Sequence, residues 1–105
     1  MRSIMQEKDG TCYLCRKLND DYSRKDIIHE HHAIYGHAQR RLSECFGLKV
    51  YLCLAHHLTS PKAVHKNPEI SNLVKADAQR VFTECYPDLD FMEIFGRNYI
   101  FEEEK

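Results

Sequence analysis

The sequence predicts an α+β fold: a small treble-clef zinc domain, with a helical half following it. Three observations carry this. Cys12-Tyr-Leu-Cys15 and Cys53-Leu-Ala-His56 are two pairs of the same spacing, and two ligands separated by two residues can wrap one edge of a zinc tetrahedron. Strand-like runs lie between the pairs, around His29–Ile34 and Leu48–Leu52. Beyond Asn67-Pro68, apolar residues recur every three or four positions, the period of an amphipathic helix.

The elements follow in order. Residues 1–11 read as a short helical or extended lead that ends at the turn signal Asp9-Gly10. Cys12–Cys15 forms a tight knuckle, and residues 16–27, polar apart from a few aliphatics, read as a loop. His29–Ile34 reads as a short strand closed by Tyr35-Gly36. Residues 37–46 supply one or two helical turns with Leu42, Cys45 and Phe46 on one face, stopped by Gly47. Leu48–Leu52 alternates as a half-buried strand does. A helix starts near Ala55 and is interrupted or ended by Thr59-Ser60-Pro61. Asn67 is an N-cap with Pro68 at the first helical position. The helix it opens carries Ile70, Leu73, Val74, Ala78, Val81, Phe82 and Cys85 on its apolar face and ends before Pro87. Asp88–Phe95 makes a last short helix ending at Gly96, and Tyr99-Ile100-Phe101 adds a strand. Cys45 and Cys85, both on apolar helical faces, are expected in the core. The whole, 1–105, reads as one domain, with a motif core at 12–66 and a helical extension at 67–101.

A chain of 105 residues buries a modest core, and a metal staple is a common remedy. Its 15 basic and 16 acidic residues give a net charge of −1, which does not advertise nucleic-acid binding. Arg40, Arg41 and Lys49 nevertheless cluster near the motif residues, while Glu102, Glu103 and Glu104 read as a solvated acidic end. No run of about 18 apolar residues predicts a membrane span, and Met1–Gly10 lacks the apolar core of a signal peptide. With no export signal, five cysteines that include a CxxC favour a reducing, cytoplasmic setting and metal ligation over disulfides.

Residues 16–52 separate the two pairs, too long a gap for a plain zinc finger but suited to a knuckle meeting the first turn of a helix across an inserted hairpin. Cys12, Cys15, Cys53 and His56 are therefore the expected structural ligands, with His57 the alternative to His56. Most of the seven histidines fall between His29 and His57. His31 and His32 are neighbours on a strand and so point to opposite faces. His57 is turned about 100° from His56 on a helix, free to serve a second site. Such a site could hydrolyse a phosphodiester, with a divalent ion stabilising charge on the phosphate and the departing oxygen and a neutral histidine taking a proton from water. Equally, His29-Glu-His-His32 could be a solvated polar strand edge.

The runs CYLC, EHHAIYG and LKVYLCLAHH together resemble the HNH endonucleases, the zinc-bearing treble-clef form of the ββα-metal (His-Me finger) nucleases, and especially their compact bacteriophage members. The resemblance spans Cys12 to about Lys66; VHKNPE and FGRNYI are similar more loosely. It implies a ββα-metal core and a metal-dependent endonuclease that hydrolyses DNA, phage-encoded and acting in a bacterial cytoplasm, possible as a dimer that cuts both strands. It implies His32 as general base, and His31 and His57 as ligands of a catalytic Mg²⁺, Mn²⁺ or Ni²⁺. Cys12, Cys15 and Cys53 fall on the zinc cysteines, and His56 replaces the fourth. Gln39 falls where the family has the Asn that orients the base, with His37 another candidate for that task. Arg40, Arg41 and Lys49 would contact DNA phosphates, and His65 would lie near the site. Gln in place of Asn and the low net charge also point to an alternative, a degenerate HNH-like zinc module that binds nucleic acid or a host protein without cutting.

Overall fold

Strands β1 (Ile28–His32) and β2 (Lys49–Cys53) pair antiparallel in the computed structural model, which describes residues 1–100. Ile28 lies opposite Cys53 and His32 opposite Lys49. Because side chains alternate along a strand, His29 and His31 leave one face of this ribbon, and Glu30, His32 and Lys49 leave the other. Between the strands runs helix α2 (Gln39–Phe46). The buried Ser43 hydroxyl donates to the Ile34 carbonyl at 2.6 Å and accepts the Ile34 N–H at 3.1 Å, clamping α2 to the chain leaving β1. Gly47 ends α2 at φ 73°, and a Cβ there would sit 2.5 Å from the Arg2 carbonyl oxygen, so only glycine fits.

Helix α1 (Tyr13–Asn19) corrects the expectation of a loop after the knuckle. Cys12 is its N-cap, with Sγ accepting the Cys15 N–H at 3.4 Å. The knuckle thus nucleates a helix whose Leu14 and Cys15 are buried. After β2 comes a five-residue π-type helix, α3 (Ala55–Thr59), which ends at Ser60 as the Thr-Ser-Pro signal predicts.

The C-terminal half is helical. Asn67 caps α4 (Pro68–Cys85) by accepting the N–H groups of Glu69 and Ile70. Asp90 caps α5 (Phe91–Phe95), which stops at Gly96. Val74, Ala78 and Phe82 of α4 are buried with Leu14, Ile34, Leu48, Val50, Leu52 and Val64 in a single core. Phe91 and Phe95 stack at 4.5 Å between ring centres and pack edge-on against Phe82 of α4. Cys45 and Cys85, expected inside, are exposed. The buried stripe of α4 runs through Ser71, Val74, Ala78 and Phe82, and Cys85 falls off its end. Tyr99 and Ile100 form no strand; the Tyr99 N–H instead donates to the buried Gln79 side chain at 2.7 Å. Phe101 and the three glutamates after it lie outside the described residues. Among those residues, no helix is long and apolar enough to cross a membrane.

Candidate metal centres and the flanking cleft

Cys12 and Cys15 come from the start of α1, Cys53 from the end of β2, and His56 from α3. His56 Nδ1 lies 3.6 Å from Cys12 Sγ, 3.4 Å from Cys15 Sγ and 3.6 Å from Cys53 Sγ, and the sulfurs of Cys15 and Cys53 are 3.8 Å apart. A tetrahedral zinc with bonds of about 2.3 Å to sulfur and about 2.0 Å to nitrogen has edges of ~3.8 Å between sulfurs and ~3.5 Å from sulfur to nitrogen. The four groups therefore have the size and the donor chemistry of a Cys₃His site and could hold a structural metal ion. Burial and the neighbouring Cys12 push the Cys15 thiol up to about 12, a penalty that a cation between the sulfurs would reverse. Burial lowers the His56 pKa, keeping the ring in the neutral form that a metal requires.

A second cluster begins one residue further along α3, at His57. His31, His57 and His65 each offer one ring nitrogen, and these nitrogens lie within 4.8 Å of one another, as a metal-binding group could. His31 is buried, and among the described residues its Nε2 has no hydrogen-bond partner. An orphaned buried nitrogen is costly unless something occupies it. Ring centres are 5.4 Å apart for His31 and His57, 5.1 Å for His31 and His65, and 4.9 Å for His57 and His65. His29, two residues before His31 and so on the same face of β1, places Nδ1 2.9 Å from His57 Nδ1. Burial first, and then the neighbouring His65 and His57, pull the His31 pKa down to about 3. Burial also lowers that of His57.

Strand alternation sends His32 the other way. Its Nε2 lies 2.8 Å from Glu44 Oε1 of α2. His32 and Arg40 line both of two adjoining clefts. One, of about 470 Å³, is walled by His31, Tyr35, His57 and His65. The other, of about 670 Å³, is walled by His37, Arg41 and Glu44.

Two expected site residues are placed elsewhere. Among the described residues Gln39 makes no hydrogen bond to His32: its side-chain amide donates to the Phe95 carbonyl at 3.2 Å, tying the start of α2 to α5, and its Oε1 is buried without a partner. Lys49 is not a surface cation available to a phosphate. It is buried, paired with Glu30 at 2.7 Å and Glu44 at 3.1 Å. Arg40 and Arg41 are exposed and, among the described residues, form no ion pair.

Sequence reasoning underrated His65, which reaches the cluster from the turn between α3 and α4, and gave no role to His29 or Glu44. The i, i+2 relation of His29 to His31 was the available signal for the first; nothing local marks His65. No protein-family model, no curated protein and no solved structure matches the chain.

Proposed function

We propose that this chain is a metal-dependent endonuclease of the HNH type, a treble-clef zinc domain with a ββα-metal core that hydrolyses DNA phosphodiester bonds. The observation that carries the reading is the pairing of a Cys₃His cluster with a histidine cluster one residue further along α3, beside a cleft that His32 and Arg40 line. His31, His57 and His65 would hold the second ion, His65 joining the two ligands that the motif predicts. A divalent cation held there supplies charge stabilisation to the phosphate and the departing oxygen. Three imidazoles suit Zn²⁺ or Ni²⁺ better than Mg²⁺ or Mn²⁺, which prefer oxygen ligands. His32 takes the proton from the attacking water, and Arg40 and Arg41 hold the phosphates of the strand in the adjoining cleft.

A second reading, a zinc module that binds nucleic acid without cutting it, draws on one observation. Gln39, at the position of the motif amide, turns to Phe95 and leaves His32 without it.

Supercoiled plasmid incubated with the zinc-loaded protein and Mg²⁺, Mn²⁺ or Ni²⁺ separates the two. Cutting by the wild type and none by His32→Ala, with both proteins folded, supports the nuclease. Retention of plasmid on the protein with no cutting under any ion supports the binding module.

A further inference from the structure

The assignment of His32 as a base leaves open what aims it, since Gln39 is engaged elsewhere. We propose that Glu44 is the positioning residue for His32, holding the ring in one tautomer so that Nδ1 is its basic nitrogen. This rests on the nuclease reading above for its catalytic meaning, but its physical content is independent of that reading.

The contact itself decides the proton's place. An ionised carboxylate only accepts hydrogen bonds, so at 2.8 Å from Glu44 Oε1 the neutral ring carries its hydrogen on Nε2 and its lone pair on Nδ1. Glu44 is ionised: the N-terminal ammonium, His32 and Lys49 lower its pKa to about 2. It is also clamped. Lys49 Nζ reaches its two oxygens at 3.1 and 3.3 Å, and the ammonium of Met1 lies 2.6 Å from Oε2. Lys49 is held in turn by Glu30 and lies directly opposite His32 across the hairpin. The same helix that begins with Gln39 therefore delivers a second polar side chain, one and a half turns later, to the ring with which Gln39 makes no hydrogen bond. A histidine whose second nitrogen is bonded to a carboxylate has a fixed tautomer and ring plane, an arrangement used both by catalytic and by metal-bound histidines.

The test uses the full, zinc-loaded chain. Long-range ¹H–¹⁵N correlation spectra above the titration range of the ring read the His32 tautomer directly. The wild type should show the Nε2–H form alone, Glu44→Ala a mixture of both forms, and Glu44→Gln, which keeps an acceptor oxygen, a return towards the wild-type pattern. In plasmid cutting, Glu44→Ala should lower kcat roughly 100-fold, the scale of a misplaced catalytic group, with KM and zinc content little changed, some fall in thermal midpoint from the lost partner of Lys49, and partial rescue of kcat by Glu44→Gln. A wild-type tautomer in Glu44→Ala overturns the proposal whether or not DNA is cut. An altered tautomer with an unchanged kcat overturns the positioning role. Absence of cutting by the wild type removes the nuclease reading, and the spectra alone then decide whether Glu44 sets the ring.

Discussion

His56 and His57 are consecutive residues whose rings serve different clusters: His56 Nδ1 lies 3.4 Å from Cys15 Sγ, and His57 Nδ1 lies 2.9 Å from His29 Nδ1. One helical step separates a sulfur-rich pocket from an imidazole-rich one, so the two can be perturbed one at a time.

The sulfur-rich pocket should dominate stability. Cys12→Ser removes a buried thiolate ligand and nothing else of weight, because the serine hydroxyl can still cap the start of α1. It should lose bound zinc and about 3 kcal/mol or more of unfolding free energy, because metal binding and folding are coupled in small sites. Chelation of the wild type should lower the thermal midpoint in the same direction. A Cys12→Ser protein that keeps the wild-type midpoint without zinc would refute the structural site.

The imidazole-rich pocket should bind separately. After dialysis against Zn²⁺ or Ni²⁺ the wild type should carry two ions per chain. His65→Ala should keep one and bind the second at least about 10-fold more weakly. An unchanged second affinity would exclude His65 as a ligand.

Proton release gives a pH-sensitive check. The His31 pKa lies near 3, below that of an ordinary imidazole, because of burial and the neighbouring His65 and His57. At about pH 6 His31 is then already neutral, and an ion binding there displaces no proton from it. Burial moves His57 in the same direction. Calorimetric titrations in two buffers of different ionisation enthalpy should show fewer protons released than three ordinary imidazoles would yield. Release matching three ordinary rings would mean that His31 is protonated before the ion arrives.

Lys49 and Arg40 should part company under mutation. Lys49→Ala strips a buried cation from between Glu30 and Glu44 and should cost about 1–3 kcal/mol of stability. Arg40→Ala, at an exposed position beside the cleft, should leave stability within about 0.5 kcal/mol and weaken DNA binding with a shallower salt dependence. Chemical denaturation and binding titrations at several salt concentrations read both, and the opposite pattern would restore Lys49 as the phosphate contact.

What was legible in the sequence follows the range of the forces involved. The Cys₃His set could be read because its spacing is local: each pair spans two residues, and the tetrahedral edges then agree with zinc. Helix ends marked by Asn67, Gly47 and Gly96 were readable for the same reason. The separation of His31 from His32 followed from strand alternation alone. Lys49 is buried where its charge predicts a surface group, because its place opposite His32 depends on the pairing register, which the sequence does not display. His65 and Glu44 reach their partners through a turn and through a helix phase, and both depend on how α2 and α3 dock. Cys85 was assigned to the core by periodicity, yet the apolar stripe of α4 ends one turn earlier.

Contact between Cys12 and His56 joins positions 44 residues apart, and everything that builds the histidine cluster lies inside or just beyond that loop. Closing a loop of this length costs entropy before any reward is collected. An ion held by the four groups would tie the two ends of that loop together, and with them the strand that carries His29 and His31.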